Sequence, residues 1–279
     1  MRLSIVIVNW NTTGLLTALL KSISSNAPEF GYEVIVVDNA SDDFNVDTFR
    51  EEFPNVRLIA NKQNAGYAKG NNQAFEIASG DYLLLLNPDT EVTNGAIQAL
   101  VDFMETHEDA AAAGVKLVRP DGRIDSSVRS FPYPGAIAWE FIGLSKIFPK
   151  SRTFGRYRMT YFSYDEVTEV DQPMGSCLIL SKKALGDIGL FDEDFPIFFN
   201  EVDWLYRARE KGYKIYFTPD ATVIHHGAAS TKQVNRRKIR RESHESLIRF
   251  YAKHFKGKIS TPVYYMTLAC IYISKLLRG

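Results

Sequence analysis

The chain has 279 residues, 45% of them hydrophobic and 24% charged, which is room for one large domain or one domain with an appendage. Its 33 basic residues balance 33 acidic ones, so no global field points to nucleic acid as a partner. Two cysteines, Cys177 and Cys270, exclude a disulfide framework and fit a reducing compartment. No signal-peptide pattern precedes the first strand-like run, so a cytoplasmic protein is expected.

Leu3 to Val8 is rich in β-branched residues and ends at Asn9-Trp10-Asn11, which predicts a first buried strand. Leu15, Leu16, Leu19, Leu20 and Ile23 recur at helical spacing, with Thr12 or Thr13 as N-cap. A strand over Glu33–Val37 ends at Asp38-Asn39. A short helix follows over Val46–Phe53, then a strand over Val56–Ala60 and a helix over Tyr67–Ala78. Leu83 to Leu86 is a continuous apolar run that stops at Asn87-Pro88-Asp89. That is the pattern of a strand buried on both faces that carries a carboxylate to its end. A Pro-Asp turn after a strand explains the same residues.

Alternating strands and helices with short connections predict a parallel sheet with helices on its faces. Ligands bind such sheets beyond the carboxyl ends of the strands. Asn9 and Asn11, Asp38 and Asn39, Asn64, and Asn87 and Asp89 all cluster there, which points to a shared polar ligand.

A helix over Asn94–His107 and a strand over Ala110–Val118 come next. Ser126 to Asp165 is aromatic, contains Pro132, Pro134 and Pro149, and carries Arg129, Arg152, Arg156 and Arg158. It has no regular pattern, and is either a binding loop or an aromatic satellite core. Strand character returns around Met174-Gly175-Ser176-Cys177. A helix over Lys182–Ile188 follows, and a second helix begins after Phe199-Asn200-Glu201-Val202-Asp203. Short strands are expected over Ile215–Thr218 and Ala221–Ile224, the second ended by His225 to Ser230. A basic helix then runs from Val234 to Phe255. Thr261 to Ser274 is uncharged and apolar but shorter than the roughly 20 residues that cross a bilayer. Beside the basic helix it suggests peripheral attachment to an anionic membrane surface. A helix packed on the domain or on another subunit of a homo-oligomer is the alternative.

Six stretches occur in order. They are Ile5 to Asn11 with Val8 and Asn9, Val36 to Asp42, Asn64 to Asn72, Leu85 to Asp89, Phe199 to Asp203, and His225 to Gly227. Together they resemble glycosyltransferase family 2, and within it the bacterial rhamnosyltransferases of cell-surface polysaccharide synthesis. The resemblance implies a GT-A fold: an α/β nucleotide-sugar-binding domain with a mainly parallel central sheet flanked by helices. That domain would span 1–232, with a nucleotide-binding part to about 118 and an acceptor part beyond it. Residues 233–279 would form a C-terminal helical extension.

The resemblance also implies roles. Val8, Asn9, Asn11, Asp38, Asn39, Asn64, Gly66, Asn71, Asn72 and Asn87 would bind a dTDP- or UDP-sugar. Asp38 would accept from the base or ribose, and the helix start near Gly66 would face the diphosphate. Asn87-Pro88-Asp89 takes the place of the family's DXD motif. Asn87 stands where the first Asp is expected, so Asp89 alone would hold Mg2+ or Mn2+, joined by His225 or else His226.

Inversion needs a base for the acceptor hydroxyl, and Glu201 is expected in that role with Asp203 as second choice. Met174, Gly175 and Ser176 would line the acceptor side, toward a glycan or lipid-linked glycan. A sugar nucleotidyltransferase would open with a Gly-rich basic loop after the first strand, which Asn9 to Thr13 is not. A non-catalytic nucleotide-sugar or glycan-binding module would carry the same motifs.

Overall fold

The computed structural model describes residues 1–227 and 236–278. Leu3–Asn9 (β1), Tyr32–Asp38 (β2), Val56–Ala60 (β3) and Tyr82–Leu86 (β4) are strands. Thr13–Ser25 (α1), Val46–Glu52 (α2) and Tyr67–Ile77 (α3) alternate with them. β2, β1 and β4 run parallel side by side, with β3 outside β2. Alternate side chains of each strand enter opposite cores. Leu84 and Leu86 of β4 join Ile5, Ile7, Leu16 and Leu100 on one face. Leu83 and Leu85 join Val6, Val8 and Phe75 on the other. The four-leucine run is therefore two period-2 faces, both dry.

Next come Thr90–Val92 (β5), Ala96–Thr106 (α4), Ala110–Val118 (β6) and Val128–Arg129 (β7). Pro134–Phe141 (α5), Leu144–Ile147 (α6), Thr168–Glu169 (β8), Gln172–Pro173 (β9) and Cys177–Ser181 (β10) follow. Lys182–Ile188 (α7), Asn200–Glu210 (α8) and Lys214–His225 (β11) complete the sheet, and Arg236–His254 (α9) and Thr261–Arg278 (α10) close the chain. The sheet order is β3-β2-β1-β4-β10-β6-β11-β5, with β8 on β11. β10 is antiparallel to both β4 and β6, while β11 runs parallel to β6 and antiparallel to β5. The sheet is thus parallel in its first half and mixed in its second.

Two local expectations change. The two short strands after α8 are one strand, β11, whose register with β6 shifts between Thr218 and Thr222. Pro219 lies in that gap, and its missing N–H interrupts the ladder. The segment from Ser126 to Asp165 contains β7, α5 and α6. α5 opens with Pro134 at its first turn. Its sequence, Pro-Gly-Ala-Ile-Ala-Trp-Glu-Phe, is apolar nearly all round, so no helical periodicity announces it. The Val234 start of the basic helix, the 232/233 boundary and the Ala228 to Ser230 stretch lie outside the described residues.

Both C-terminal helices pack into the domain. Phe250, Tyr251 and Phe255 share one core with β6, α8 and β11, and the Tyr251 hydroxyl donates to the Pro132 carbonyl at 2.5 Å. α10 turns Tyr264, Thr267, Ile271 and Ser274 inward, and leaves Tyr265, Met266, Tyr272, Ile273 and Leu276 exposed. Among the described residues no helix is long and apolar enough to cross a membrane.

The tightest link between α8 and α9 is polar. Asp203, fully buried, accepts from Arg207 Nε at 2.8 Å and lies 2.7 Å from His254 Nε2 and 2.8 Å from Lys253 Nζ. Burial alone would raise its carboxyl. The contacts with His254, Lys253 and Arg207 outweigh it and hold the group below the usual carboxylate range.

Asp203→Asn should therefore cost about 3 kcal/mol of unfolding free energy, the scale of losing one partner of a buried ion cluster. The sign with pH follows from the depressed carboxyl. Its contribution is full above the unfolded value of about 3.9 and is lost as pH falls through the lower folded value. Urea unfolding of both proteins between pH 7 and pH 3 should show their difference shrinking in acid; a difference that ignores acid would mean Asp203 is not ionised in the native state.

Candidate active site

The register of β1 and β2 puts Asn9 opposite Asp38. The Asn9 amide donates to Asp38 Oδ1 at 2.9 Å, and its Oδ1 accepts from the Thr12 hydroxyl at 2.7 Å. Thr12 does sit at the N-cap of α1, but its side chain serves Asn9 instead of capping. Ser41 ties the turn together. Its hydroxyl donates to Asp38 Oδ1 at 2.6 Å, its N–H donates to Oδ2 at 3.0 Å, and its Oγ accepts the Asn11 N–H at 2.8 Å. Asp38 is buried and takes three donors, which leaves about one of a carboxylate's four lone-pair sites, on Oδ2. Asn11 and Ala40 hold φ of 52° and 57°, the left-handed region that residues other than glycine seldom enter.

Asn64 Oδ1 accepts the Gly66 N–H at 2.9 Å and turns the chain into α3. Gly66 has φ 90°, and a Cβ there would lie 2.9 Å from the Pro196 carbonyl oxygen, so only glycine fits. That same oxygen accepts the Tyr67 N–H at 2.6 Å and the Ala68 N–H at 3.3 Å. Two of the first N–H groups of α3, the helix start expected to face a diphosphate, are thus bonded within the protein.

Asn39 donates to the Gly66 carbonyl, and Val8 packs on Gly70. Asn71 donates to the Tyr67 carbonyl, and its Oδ1 is buried with no hydrogen-bond partner among the described residues. Asn72 faces away from these groups: its amide bonds both backbone groups of Phe191 and the Glu193 carboxylate.

Three strand ends meet beyond β4. The antiparallel register of β10 sets Cys177 beside Leu86, so Ser176 reaches Asn87. The Asn87 N–H donates to the Ser176 carbonyl at 3.0 Å and its amide to Ser176 Oγ at 3.2 Å. β11 sets His225 beside Thr90, and the His226 N–H donates to the Asp89 carbonyl. His225 Nε2 is then 3.2 Å from Ser176 Oγ and 3.7 Å from Asp89 Oδ1. Its Nδ1 is 3.0 Å from Asp125 Oδ2.

Burial works against the Asp125 carboxylate, yet its contacts with His225 and Arg119 hold it below the usual range. An ionised carboxylate accepts, so Nδ1 carries a proton, and in the neutral ring the Nε2 lone pair is turned toward Ser176 and Asp89. His226 is 3.5 Å from Glu91 and half-exposed. A cavity of about 440 Å³ opens beside His225, lined also by Arg119 and Asp125. Among the described residues no three His, Cys, Asp or Glu groups converge as a complete metal cage.

Glu201 stands in the first turn of α8. Asn200 Oδ1 accepts its N–H at 2.9 Å, and the Asn200 amide holds the turn before it through the Ile197 carbonyl at 3.0 Å. Phe199, at the N-cap, has φ 70°, a third left-handed non-glycine residue beside a motif. A Cβ on Gly175 would lie 3.4 Å from Glu201 Cγ, so the expected acceptor stretch and the expected base are in contact range.

Burial pushes the Glu201 carboxyl up; the N–H groups of Glu201 and Val202 and the charge of Arg129 pull the other way and lose. The Tyr67 hydroxyl donates to Asn87 Oδ1 at 3.1 Å. Burial raises that phenol, and the charges of Glu201 and Asp89 raise it further. Tyr67 therefore lies within electrostatic reach of both carboxylates. Asp203, two residues on, points into the ion cluster with α9.

Sequence reasoning missed Ser41, Tyr67 and Asp125. The first two lie inside quoted motifs, and a question about what fills the bonding capacity of Asp38 and Asn87 would have reached them. Asp125 gives no local signal. It arrives through a hairpin-like return in which its N–H donates to the Leu117 carbonyl.

Comparison with known proteins identifies the family and the fold. The family model described as glycosyl transferase family 2 matches residues 4–168. The N-acetylglucosaminyl-diphospho-decaprenol L-rhamnosyltransferase of Mycobacterium tuberculosis is 30% identical over 240 residues, covering 82% of this chain and 77% of its own. Among solved structures, the mannosyltransferase PcManGT from Pyrobaculum calidifontis in complex with GDP-Man and Mn2+ superposes with a TM-score of 0.63 at 16% identity. That match covers 98% of this chain and 70% of the other. S. aureus TarS 1–349 in complex with UDP-GlcNAc gives a TM-score of 0.60 at 16% identity, covering 98% and 72%. With a family match over more than half its length and a rhamnosyltransferase relative along most of it, the chain belongs to glycosyltransferase family 2 and is a glycosyltransferase of the GT-A fold.

Proposed function

We propose that the chain transfers L-rhamnose from dTDP-rhamnose, with inversion, to a hydroxyl of a lipid-linked glycan in cell-surface polysaccharide synthesis. The choice of sugar and acceptor class rests on the mycobacterial relative, whose name gives a rhamnosyl group and a diphospho-decaprenol acceptor. The observation that carries the chemistry is Glu201, a partly buried carboxyl raised above its usual range and in contact range of Gly175.

Glu201 takes the proton of the acceptor hydroxyl as that oxygen bonds to the anomeric carbon. The bond from that carbon to the diphosphate breaks on the opposite face, and dTDP leaves with the electron pair. A carboxylate raised toward neutrality is matched to this task. Asp203 is poorly suited, because Arg207, Lys253 and His254 occupy it and hold it ionised. The remaining lone pair of Asp38, with Asn9 and Asn11 beside it, suits a donor group of the nucleotide. Asn87 keeps Tyr67 and Ser176 in place between the two ends of the site.

Asp89 and His225 would hold Mg2+ or Mn2+. The donor set fits: one carboxylate oxygen and one imidazole nitrogen face each other, and Asp125 orients the ring from its far side, as carboxylates do behind metal-bound histidines. Bound there, the ion would supply charge stabilisation to the leaving diphosphate. For localisation, the exposed apolar face of α10 and the exposed Arg237, Lys238, Arg240 and Arg241 of α9 suit peripheral attachment to an anionic bilayer.

Glu201→Gln should keep donor affinity and lose about 10²- to 10⁴-fold in transfer. In the wild type, kcat/KM should rise with pH through a limb above the ordinary glutamate value of about 4.3. A wild-type protein active with no such limb, or transfer that survives Glu201→Gln, would remove Glu201 as base.

Asp89→Ala should abolish Mn2+-dependent dTDP binding in calorimetric titration. Asp125→Asn should weaken it about tenfold or more by freeing the His225 ring; unchanged titrations would sink the metal assignment. Exchange of Tyr265, Met266 and Ile273 for serine should release the protein from sedimenting anionic vesicles. Equal sedimentation of wild type with neutral and anionic vesicles would count against attachment through charge.

A further inference from the structure

A second cavity, of about 240 Å³, opens among β7, α5, the N-cap of α8 and the two C-terminal helices. Its wall includes Phe199, two positions before Glu201. Much of the rest comes from Arg129 of β7, Phe141 of α5, Tyr157 and Arg158 after α6, and Leu247 of α9. Its two guanidinium groups differ. Arg158 Nε donates to Glu140 Oε2 at 2.8 Å. Arg129 has no carboxylate partner among the described residues and lies over the Tyr157 ring, 5.9 Å from its centroid. Its charge still reaches Glu201.

An arginine stacked on an aromatic plane with its fork unpaired is set up for an oxyanion it can bind in two places. Glu140 also lines the cavity. Its Oε1 is buried with no hydrogen-bond partner among the described residues, an acceptor that a ligand hydroxyl would satisfy. The remaining wall is mixed: Ile137, Phe141, Phe199 and Leu247 give it an apolar part, and Ser243, His244 and Ser274 a polar one; the chain that leaves α5 after Phe141 exposes Ile142, Ile147 and Phe148. Anion, hydroxyl and hydrocarbon are thus each provided for within one small space.

We propose that this cavity is the acceptor subsite and that it takes an isoprenoid-type diphosphate carrying a sugar. The phosphate binds Arg129, a sugar hydroxyl bonds Glu140, and the first carbons of the lipid lie against Phe141 and Leu247. Held there, the sugar presents its reacting hydroxyl to Glu201 beyond Phe199. The assignment rests on the transfer reaction proposed above and adds where the acceptor is held and by which groups. It also gives the aromatic, arginine-bearing segment from Ser126 to Asp165 a function: it builds the wall that recognises the acceptor's charged and apolar parts.

Calorimetry with a short isoprenoid diphosphate, the matching alcohol and inorganic pyrophosphate tests it on the full chain, without nucleotide sugar and with divalent ions chelated. The wild type should bind the isoprenoid diphosphate more tightly than either other probe. Arg129→Gln should lose about tenfold to a hundredfold for the diphosphate, the scale of hydrogen bonds to a charged group, and leave the alcohol unchanged. Arg129→Lys should fall between them, and Phe141→Ser should weaken the diphosphate and the alcohol together.

In transfer assays, Arg129→Gln should reduce use of a phosphate-bearing acceptor about tenfold more than use of a neutral alkyl glycoside. Equal diphosphate binding by wild type and Arg129→Gln overturns the proposal. Pyrophosphate binding as tight as that of the isoprenoid diphosphate overturns its lipid part. Because the binding arm needs neither donor nor turnover, it is read apart from catalysis. Diphosphate binding lost on Arg129→Gln in a Glu201→Gln background supports the subsite, and failure of transfer with every donor sinks the reaction without touching that result.

Discussion

Everything at the candidate site depends on one piece of register: β10 enters the sheet backwards between β4 and β6. An antiparallel strand begins where its parallel neighbours end. Ser176, at the start of β10, therefore meets Asn87 at the end of β4. β11, aligned with β6 and paired to β5, brings His225 to the same point. Two hydrogen bonds between Asn87 and Ser176 lock the meeting. A one-residue slip of β10 would turn Leu178 and Leu180 to the wrong core and move Ser176 off Asn87. The hydrophobic pattern that fixes the register thereby fixes the polar site.

Around this junction the polar groups bond first to one another. Asn9, Thr12, Asp38 and Ser41 form a closed set at the ends of β1 and β2, and Asn87, Ser176, His225 and Asp125 form a chain beyond β4. Such internal bonding holds side chains in place before a ligand arrives, which lowers the cost of ordering them on binding. Three left-handed residues, Asn11, Ala40 and Phe199, stand in the turns that carry these groups. Strain of this kind persists only where the surrounding packing enforces it. The Pro196 carbonyl, bonded to the start of α3, joins the strand-end half of the site to the turn that leads into Glu201.

The C-terminal helices act as a brace as well as a cover. Asp203 gathers Arg207 from its own helix with Lys253 and His254 from α9, and so fixes the rotation of α8. Glu201, on the same turn, has no cation bonded to it among the described residues and is partly buried. Two acids two residues apart thus have opposite environments, one depressed by its contacts with His254, Lys253 and Arg207 and one raised by burial. That divergence separates a structural carboxylate from a candidate base.

Much of this was legible in order of sequence. Apolar runs and helical spacing gave β1 to β4, α1 and α3 within a residue or two, because each is set by local burial period. The Asn and Asp residues were read at the strand ends, where the structure has them, and the six motifs named the family. What the sequence by itself could not determine was which strand ends meet. The reversed direction of β10, the arrival of Asp125 behind His225, and the capture of Asp203 by a helix 50 residues later are long-range pairings with no local period to reveal them. α5 was hidden for a different reason: a helix apolar on nearly every side leaves no stripe to detect. Residue type therefore determined which groups were available for chemistry. Only tertiary packing decided which carboxyl is depressed by Arg207, Lys253 and His254 and which is raised by burial, because charge environment is set by neighbours in space.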